Sequence, residues 1–335
     1  MRSLVIGAPN FVAMRLVDAL LERGDDVRVL LEPGRDAASH PARRLAGGRA
    51  ETRDVSLSDN SGLAGAAVGV DVLYYASWHY QDWGAEALAD QSATRALRNV
   101  LAAATRARVS RLVYLSTTEV YGFPEAPARE TEQLAPPGLP YADFRAEAEI
   151  AVWEHARRVK LPVTVLRPAT VYGPEAPEFV VEVIEQLRRR RVYLVDHGEH
   201  VAGLTYVGNL VDAMVLAARA ERSAGQSYNV TDGSNVTWAQ YLTGLATLAE
   251  LPPPTVSYSR GRAMLMVGFW ERFYALLGRN ERPPLTRLMV EMMGVDQRYP
   301  IDKARRDFGY RPEVSFERGL RETGDWMRKS GLVAQ

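Results

Sequence analysis

Tyr141 and Arg145 stand four residues apart in Tyr141-Ala142-Asp143-Phe144-Arg145-Ala146-Glu147-Ala148-Glu149, the opening of a helix predicted over about 141–158. Residues i and i+4 share one helix face, so both side chains point into one site. A nearby cation favours the phenolate, which makes a tyrosine usable as an acid or base near neutral pH. A second run, Tyr114-Leu115-Ser116-Thr117-Thr118-Glu119-Val120-Tyr121-Gly122, closes a strand. A hydroxyl there, such as that of Thr117, can hydrogen-bond a substrate oxygen and fix its distance from a reacting partner. Glu119 is read as a supporting or structural carboxylate.

A different chemistry is written at the N-terminus. The strand Ser3-Leu4-Val5-Ile6 runs into Gly7-Ala8-Pro9-Asn10-Phe11 and then a helix over 11–23, with Val12, Leu16, Ala19 and Leu20 at helical spacing. Strand, glycine turn and helix are the setting for a dinucleotide, because the helix start offers N–H groups and a partial positive charge to a pyrophosphate. Gly7 is the one glycine of the expected three; Asn10 and Ala13 take the other places. Pro9 removes an N–H donor, and the Asn10 side chain is expected to occupy space near the phosphates. At the end of the second strand Glu32 would meet the adenosine ribose and repel a 2′-phosphate, which favours NAD. Arg35 argues the other way and keeps NADP open. Gly7, Pro9, Asn10, Phe11, Val12, Glu32, Asp54, Val55 and Ala76 form the expected cofactor-binding set.

These groups need a frame. Apolar strands are predicted at 2–7, 26–31, a short segment ending near Asp54, 70–76, 111–116 and 163–166, alternating with helices at 11–23, 85–107 and 141–158. Such alternation implies an α/β fold with a doubly wound parallel sheet covered on both faces. Beyond Pro168 the pattern is mixed. A helix near 178–190 ends in Arg188-Arg189-Arg190-Arg191, read as a solvated helix end. Ser227-Tyr228-Asn229-Val230 reads as a late strand returning to the sheet. Pro252-Pro253-Pro254 and Pro283-Pro284 bracket an aromatic helix at 263–277. Residues 1–174 and 204–235 would form the nucleotide-binding domain, and 175–203 with 236–335 a smaller, mixed, discontinuous substrate lobe.

Lys+Arg and Asp+Glu are 41 each among 335 residues, so no long-range field draws nucleic acid or an anionic membrane. Without cysteine there is no disulfide, thiolate catalysis or Cys-based zinc site. His197 and His200 are read as a solvated turn, and no metal is expected. A chain opening on a strand, with no apolar run of membrane-spanning length, predicts a cytoplasmic protein.

The two catalytic-type runs resemble the active site of the extended short-chain dehydrogenases/reductases, the NAD-dependent epimerase/dehydratase family. That group has Ser or Thr before Val-Tyr-Gly, then Tyr-x-x-x-Lys. The resemblance implies a Rossmann-type nucleotide-binding domain with Thr117, Tyr141 and Arg145 as the catalytic set. Tyr141, Arg145 and Pro168 would also contact the cofactor. Arg145 departs from the family's lysine; it keeps the charge, but its planar fork differs from an ammonium. Arg167-Pro168-Ala169-Thr170-Val171-Tyr172-Gly173-Pro174 extends the resemblance. Thr170 replaces the asparagine frequent in nucleotide-sugar members, and Ala202-Gly203 their Arg-Asp pair. Leu204-Thr205-Tyr206-Val207-Gly208-Asn209-Leu210-Val211-Asp212-Ala213, Pro283-Pro284-Leu285-Thr286-Arg287 and the run Asp302 to Pro312 are similar to the 3β-hydroxysteroid dehydrogenase/isomerase branch.

That branch implies a small hydrophobic substrate, steroid-, terpenoid- or polyketide-like. Met264, Leu265, Val267, Phe269, Trp270, Phe273, Tyr274, Leu276 and Leu277 would flank its cleft or fill the lobe's core. A helix touching a membrane surface is a third reading, against which stand few basic residues (Arg262, Arg272, Arg279) and poor apolar asymmetry. Ser77, Trp78, Thr118 and Tyr172 are expected at the substrate, with His79 and Tyr80 nearby. The family pattern implies a homodimer through helices 88–107 and 141–158, where Phe144, Val152 and Trp153 face the partner or the core. The leading function is an NAD(P)-dependent oxidoreductase of a secondary alcohol or ketone. A nucleotide-sugar epimerase/dehydratase with bound NAD and a non-redox binding module or cyclase/isomerase stay open beside it.

Overall fold

A computed structural model describes residues 1–33, 49–77, 91–276 and 283–333. The N-terminal part alternates β1 (Arg2–Ile6), α1 (Phe11–Glu22), β2 (Asp26–Leu31), β3 (Glu51–Asp54), α2 (Asn60–Ala66), β4 (Val72–Tyr75), α3 (Gln91–Ala107), β5 (Arg111–Leu115), α4 (Pro140–Val159) and β6 (Val163–Pro168). There follow β7 (Thr170–Tyr172), α5 (Glu182–Arg188), β8 (Leu194–Val195), β9 (Leu204–Tyr206), α6 (Val207–Arg219), β10 (Gln226–Val230), α7 (Trp238–Leu248) and β11 (Ser257–Tyr258). The chain ends with α8 (Arg260–Leu276), α9 (Arg287–Met293), α10 (Asp302–Phe308) and α11 (Phe316–Lys329).

The main sheet has seven strands in the order β10-β6-β5-β4-β1-β2-β3, all parallel. Successive strand side chains point to opposite faces, and the burial follows that period. Val5, Tyr74 and Val113 enter one core, with α1 and α6. Leu4, Ile6, Leu73, Tyr75, Leu112 and Tyr114 enter the other, with α2, α3 and α4. Apolar residues on both faces account for the unbroken hydrophobic runs in the sequence. The late strand at 227–230 joins the sheet beside β6, one residue earlier than expected, at Gln226. The fourth strand is shorter than the apolar run 70–76, because its pairing with β1 runs only from Val72 to Tyr75.

Strand ends are in register: Ile6 lies beside Tyr75, Tyr75 beside Tyr114, and Leu115 beside Leu166. The residues that follow, Gly7, Ala76, Ser116-Thr117 and Arg167-Pro168, therefore share one sheet edge. The order reverses between β1 and β4, and the crevice at such a reversal is where open α/β sheets bind ligands. Beyond β6 the chain adds two separate two-stranded pairs, β7-β9 and β11-β8, and helices α7 to α9. The helix expected near 178–190 is a π turn, Pro177–Val181, followed by α5. Arg188 to Arg191 are exposed, as a solvated helix end requires.

Candidate active site

Gly7 is needed because its φ is +129° and an added Cβ would stand 2.5 Å from the Ala76 carbonyl oxygen. Asn10 explains how the loop holds with one glycine. Its side-chain nitrogen donates to the Gly7 carbonyl at 2.6 Å and to the Ala76 carbonyl at 2.7 Å. Its oxygen accepts from the Ala13 N–H at 2.9 Å and caps α1. This corrects the expected crowding of the phosphates: the side chain is turned inward and spent on the loop. Phe11 and Val12, the first two residues of α1, have N–H groups with no partner inside the helix. A loop that excludes a Cβ beneath two such N–H groups fits a pyrophosphate.

Glu32 lies one residue past β2, exposed, its Oε1 accepting from the Leu57 N–H at 3.0 Å. Asp54 ends β3, and the Val55 N–H bonds the Leu31 carbonyl at 3.0 Å. Pro9 lies within the loop, Ala76 is fully buried at its floor, and Pro168 is the buried last residue of β6. The structure thus brings Gly7, Pro9, Asn10, Phe11, Val12 and Ala76 together, sets Glu32, Asp54 and Val55 at the ends of β2 and β3, and places Pro168 beyond β5.

Thr117 follows β5, fully buried, and its hydroxyl has no hydrogen-bond partner among the described residues. Tyr141 is the second residue of α4, after Pro140, whose fixed φ and missing N–H suit a helix start. Tyr141 is 2% exposed; burial pushes its phenol well above the ordinary value, and Arg145 draws it down only in part. The phenol is neutral, a proton donor in waiting. Arg145 is also buried, with Nη2 on the Leu115 carbonyl at 2.5 Å and Nη1 3.5 Å from the Ser77 carbonyl. Its guanidinium lies 6.0 Å from the Tyr114 ring, which stacks on Tyr75. Burial works against the Arg145 charge, but Tyr114, Tyr141 and Glu119 more than offset it, so its pKa stands above the usual arginine value. The guanidinium bridges the ends of β4 and β5, which a lysine ammonium could do through one point only.

Glu119 sits in a one-turn 3-10 helix, Thr118–Tyr121, directly after Thr117. Burial pushes its carboxyl up to about 7, against its own backbone N–H and Arg145. Its Oε2 has no hydrogen-bond partner among the described residues. A buried network that sequence reasoning did not find holds this edge. Ser116 Oγ donates to Glu149 Oε2 at 2.6 Å, and Trp153 Nε1 to Glu149 Oε1 at 3.2 Å. Arg167 Nε is 3.1 Å from both Glu149 oxygens, and its Nη1 donates to the Tyr121 hydroxyl at 2.5 Å. That hydroxyl donates to Asn229 Oδ1 at 2.8 Å. The available signal was spacing: Glu149 is one turn beyond Arg145 and two beyond Tyr141 on the same face.

The expected substrate residues scatter. Ser77 is half-buried at the edge, beside Arg145. Trp78, His79 and Tyr80 lie outside the described residues, as do Arg35, Leu277 and Arg279. Thr118 is 2% exposed, enclosed within the fold. Tyr172 must be withdrawn from the substrate set: it is fully buried among Tyr206, Tyr241 and Phe316, with ring centroids 5.5, 5.6 and 6.2 Å away. Thr170 donates to the Ala202 carbonyl at 2.9 Å, a clip within the fold. Asn209 binds Asp232 at 2.7 Å and exchanges two bonds with Val314, so its motif docks the C-terminal segment. Val152 is fully buried in the core.

A cavity of about 440 Å³ is lined by Pro137, Gly138 and Leu139, which lead into Tyr141, and by Gly261, Met264, Leu265, Arg287 and Glu291. Phe269 and Phe273 do not line it. A larger cleft of about 770 Å³ is lined by Glu130, Trp153, Lys160 and Lys303 among others; Tyr141 and Gly7 line neither of the two.

The profile of the NAD dependent epimerase/dehydratase family matches residues 3–231. The chain belongs to this family, the extended short-chain dehydrogenases/reductases, and is an NAD(P)-dependent enzyme of it. It is 30% identical to the 2-alkyl-3-oxoalkanoate reductase of Stenotrophomonas maltophilia (strain K279a), over 96% of this chain and 98% of the relative. Identity is 29% to the 4-hydroxy-2-methyl-3-oxo-4-farnesyl-3,4-dihydroquinoline-1-oxide ketoreductase of Stigmatella aurantiaca, over 100% and 98%. A 3 beta-hydroxysteroid dehydrogenase/Delta 5-->4-isomerase of Mycobacterium tuberculosis (strain ATCC 25618 / H37Rv) is 26% identical over 96% and 89%. Among solved structures, gox2253 superposes with a TM-score of 0.80 at 24% identity, covering 99% of both chains. UDP-glucose 4-epimerase of Thermotoga maritima gives 0.74 at 23%, over 98% and 99%. These two show the shared fold.

Proposed function

We propose that the protein is an NAD(P)-dependent reductase of a ketone, or dehydrogenase of the matching secondary alcohol, on a hydrophobic substrate. The observation that carries this reading is the neutral, buried Tyr141 with Arg145 one helical turn on and the Thr117 hydroxyl at the same strand edge. The substrate class is supported by the apolar Leu139, Met264 and Leu265 in the cavity and by the reductase and steroid names of the relatives.

A nicotinamide dinucleotide held by Gly7, Phe11, Val12 and Glu32 would supply the hydride. Thr117 donates its hydroxyl to the substrate oxygen and fixes its position. Tyr141 gives its phenolic proton to that oxygen as negative charge grows there, and the O–H bond of Tyr141 breaks as the new one forms. Arg145 stabilises the phenolate left behind, a charge that burial would otherwise penalise heavily. Oxidation runs the same steps in reverse. Thr170 bonded within the fold supports this reading over a sugar-nucleotide one. The homodimer is part of the same proposal, with α3 and α4 paired and Phe144, rather than Val152, at the contact.

Tyr141→Phe removes the proton and little else. Ketone turnover should fall by about 10²–10⁴-fold, the usual worth of a positioned acid. Cofactor affinity by fluorescence titration and the melting temperature should hold. Turnover equal to wild type would contradict the mechanism.

A further inference from the structure

α8 is apolar on two opposite sides. Ala263 and Val267 are fully buried, and Trp270 packs against the core, 6.3 Å from the Tyr193 ring. On the other side Leu265, Phe269 and Phe273 are 78%, 67% and 46% exposed. Their four-residue spacing aligns them on one face, where the Phe269 and Phe273 rings stack at 6.3 Å. Two opposed apolar faces cancel, which is why the sequence shows little amphipathic asymmetry here. Among the described residues the other large exposed apolar side chains, Met1, Val68, Ile150, Val159 and Val256, lie elsewhere and form no such row. A row of three on one helix is a patch that calls for an occupant.

Charge selects the occupant. Exposed Arg262 and Arg272 stand three residues before Leu265 and three after Phe269. Glu271, the acid of this helix, is turned to Arg287 at 2.7 Å. The outward face thus presents large apolar groups flanked by cations, the composition of a helix lying in an anionic lipid interface. Leu265 also lines the cavity that reaches Pro137, Gly138 and Leu139, just before Tyr141.

We infer that the Leu265–Phe269–Phe273 face of α8 docks on an anionic lipid surface, and that the cavity behind Leu265 takes its apolar substrate from there. The docking stands on α8 alone; the delivery of substrate rests on the reading under Proposed function. Whole protein is sedimented with vesicles of phosphatidylglycerol and phosphatidylcholine, and with phosphatidylcholine alone. Wild type should bind the mixed vesicles, and Phe269→Ser with Phe273→Ser should weaken that binding at least about tenfold, since two phenyl groups leave the interface. Arg262→Gln with Arg272→Gln should weaken it too, in a salt-dependent way. Turnover of a short water-soluble ketone should persist in both variants. Wild type that ignores the vesicles, or a serine variant that binds as well as wild type, overturns the docking. A serine variant that falls from dimer to monomer, with no vesicle binding in wild type, assigns the face to a second copy and also overturns it. Vesicle binding without any ketone turnover leaves the docking standing and removes the ketone reading.

Discussion

Glu119 is a buried carboxyl two residues after Thr117, and it has a thermodynamic signature of its own. Its pKa rises from 4.5 to about 7 on folding, with burial as the chief cause. A raised acid pKa means that the folded state binds the proton more tightly than the unfolded chain. Stability from this group is complete below about pH 4.5 and falls as the pH climbs to 7. The loss amounts to about 3 kcal/mol at roughly 1.4 kcal/mol per unit. Asp232, also pushed up to about 7 by burial, has the same sign. Glu119→Gln should therefore be more stable than wild type at pH 8, by up to about 3 kcal/mol, and near parity at pH 4. Urea unfolding at the two pH values checks this; an equal offset at both would remove the buried acid from the account. Asn10 shows what the sequence could and could not convey at this scale. Its departure from glycine was visible, but the direction of its amide depends on the Ala76 carbonyl, sixty-six residues away, at 2.7 Å.

At the scale of elements, α4 joins the chemistry to the core. One face carries Tyr141, Arg145 and Glu149 on successive turns, and the third is bonded to Arg167 of β6 and Ser116 beside Thr117. The pair sets α4 against the edge of β5, so the distance between Tyr141 and Thr117 depends on it. Removing one member leaves a buried charge alone. Glu149→Ala should cost about 3–5 kcal/mol in chemical denaturation. It should also lower kcat more than it raises KM; stability within about 1 kcal/mol of wild type would show that the pair carries no such load. The helix start at Pro140 and the spacing of its functional residues were legible, because both are local. The partner on β6 was not, because it is fixed only when the sheet closes. Tyr172 failed for the same reason: adjacent to a family motif in sequence, it is enclosed by residues from α7 and α11.

For the molecule as a whole, strand–helix alternation and strands apolar on both faces were sufficient to infer a doubly wound parallel sheet, and the seven-stranded order is of that kind. The family followed from the Thr-Tyr-Arg pattern and is matched over residues 3–231. The chain beyond β6 was less legible, since its apolar residues serve either as core or as surface. Val267 and Phe269, two positions apart in α8, went opposite ways. No helix among the described residues is long and apolar enough to cross a membrane. The central claim is the proposed hydride transfer at the sheet edge that carries Gly7 and Thr117, with Tyr141 as the proton donor. It is tested by supplying reduced nicotinamide cofactor deuterated at the transferred position, with an apolar ketone such as a 2-alkyl-3-oxoalkanoate, and reading the alcohol by mass spectrometry. The account predicts one deuterium on the carbinol carbon with wild type and its loss with Tyr141→Phe. Bound cofactor with no label in any product, across steroid, terpenoid and polyketide ketones, would contradict it.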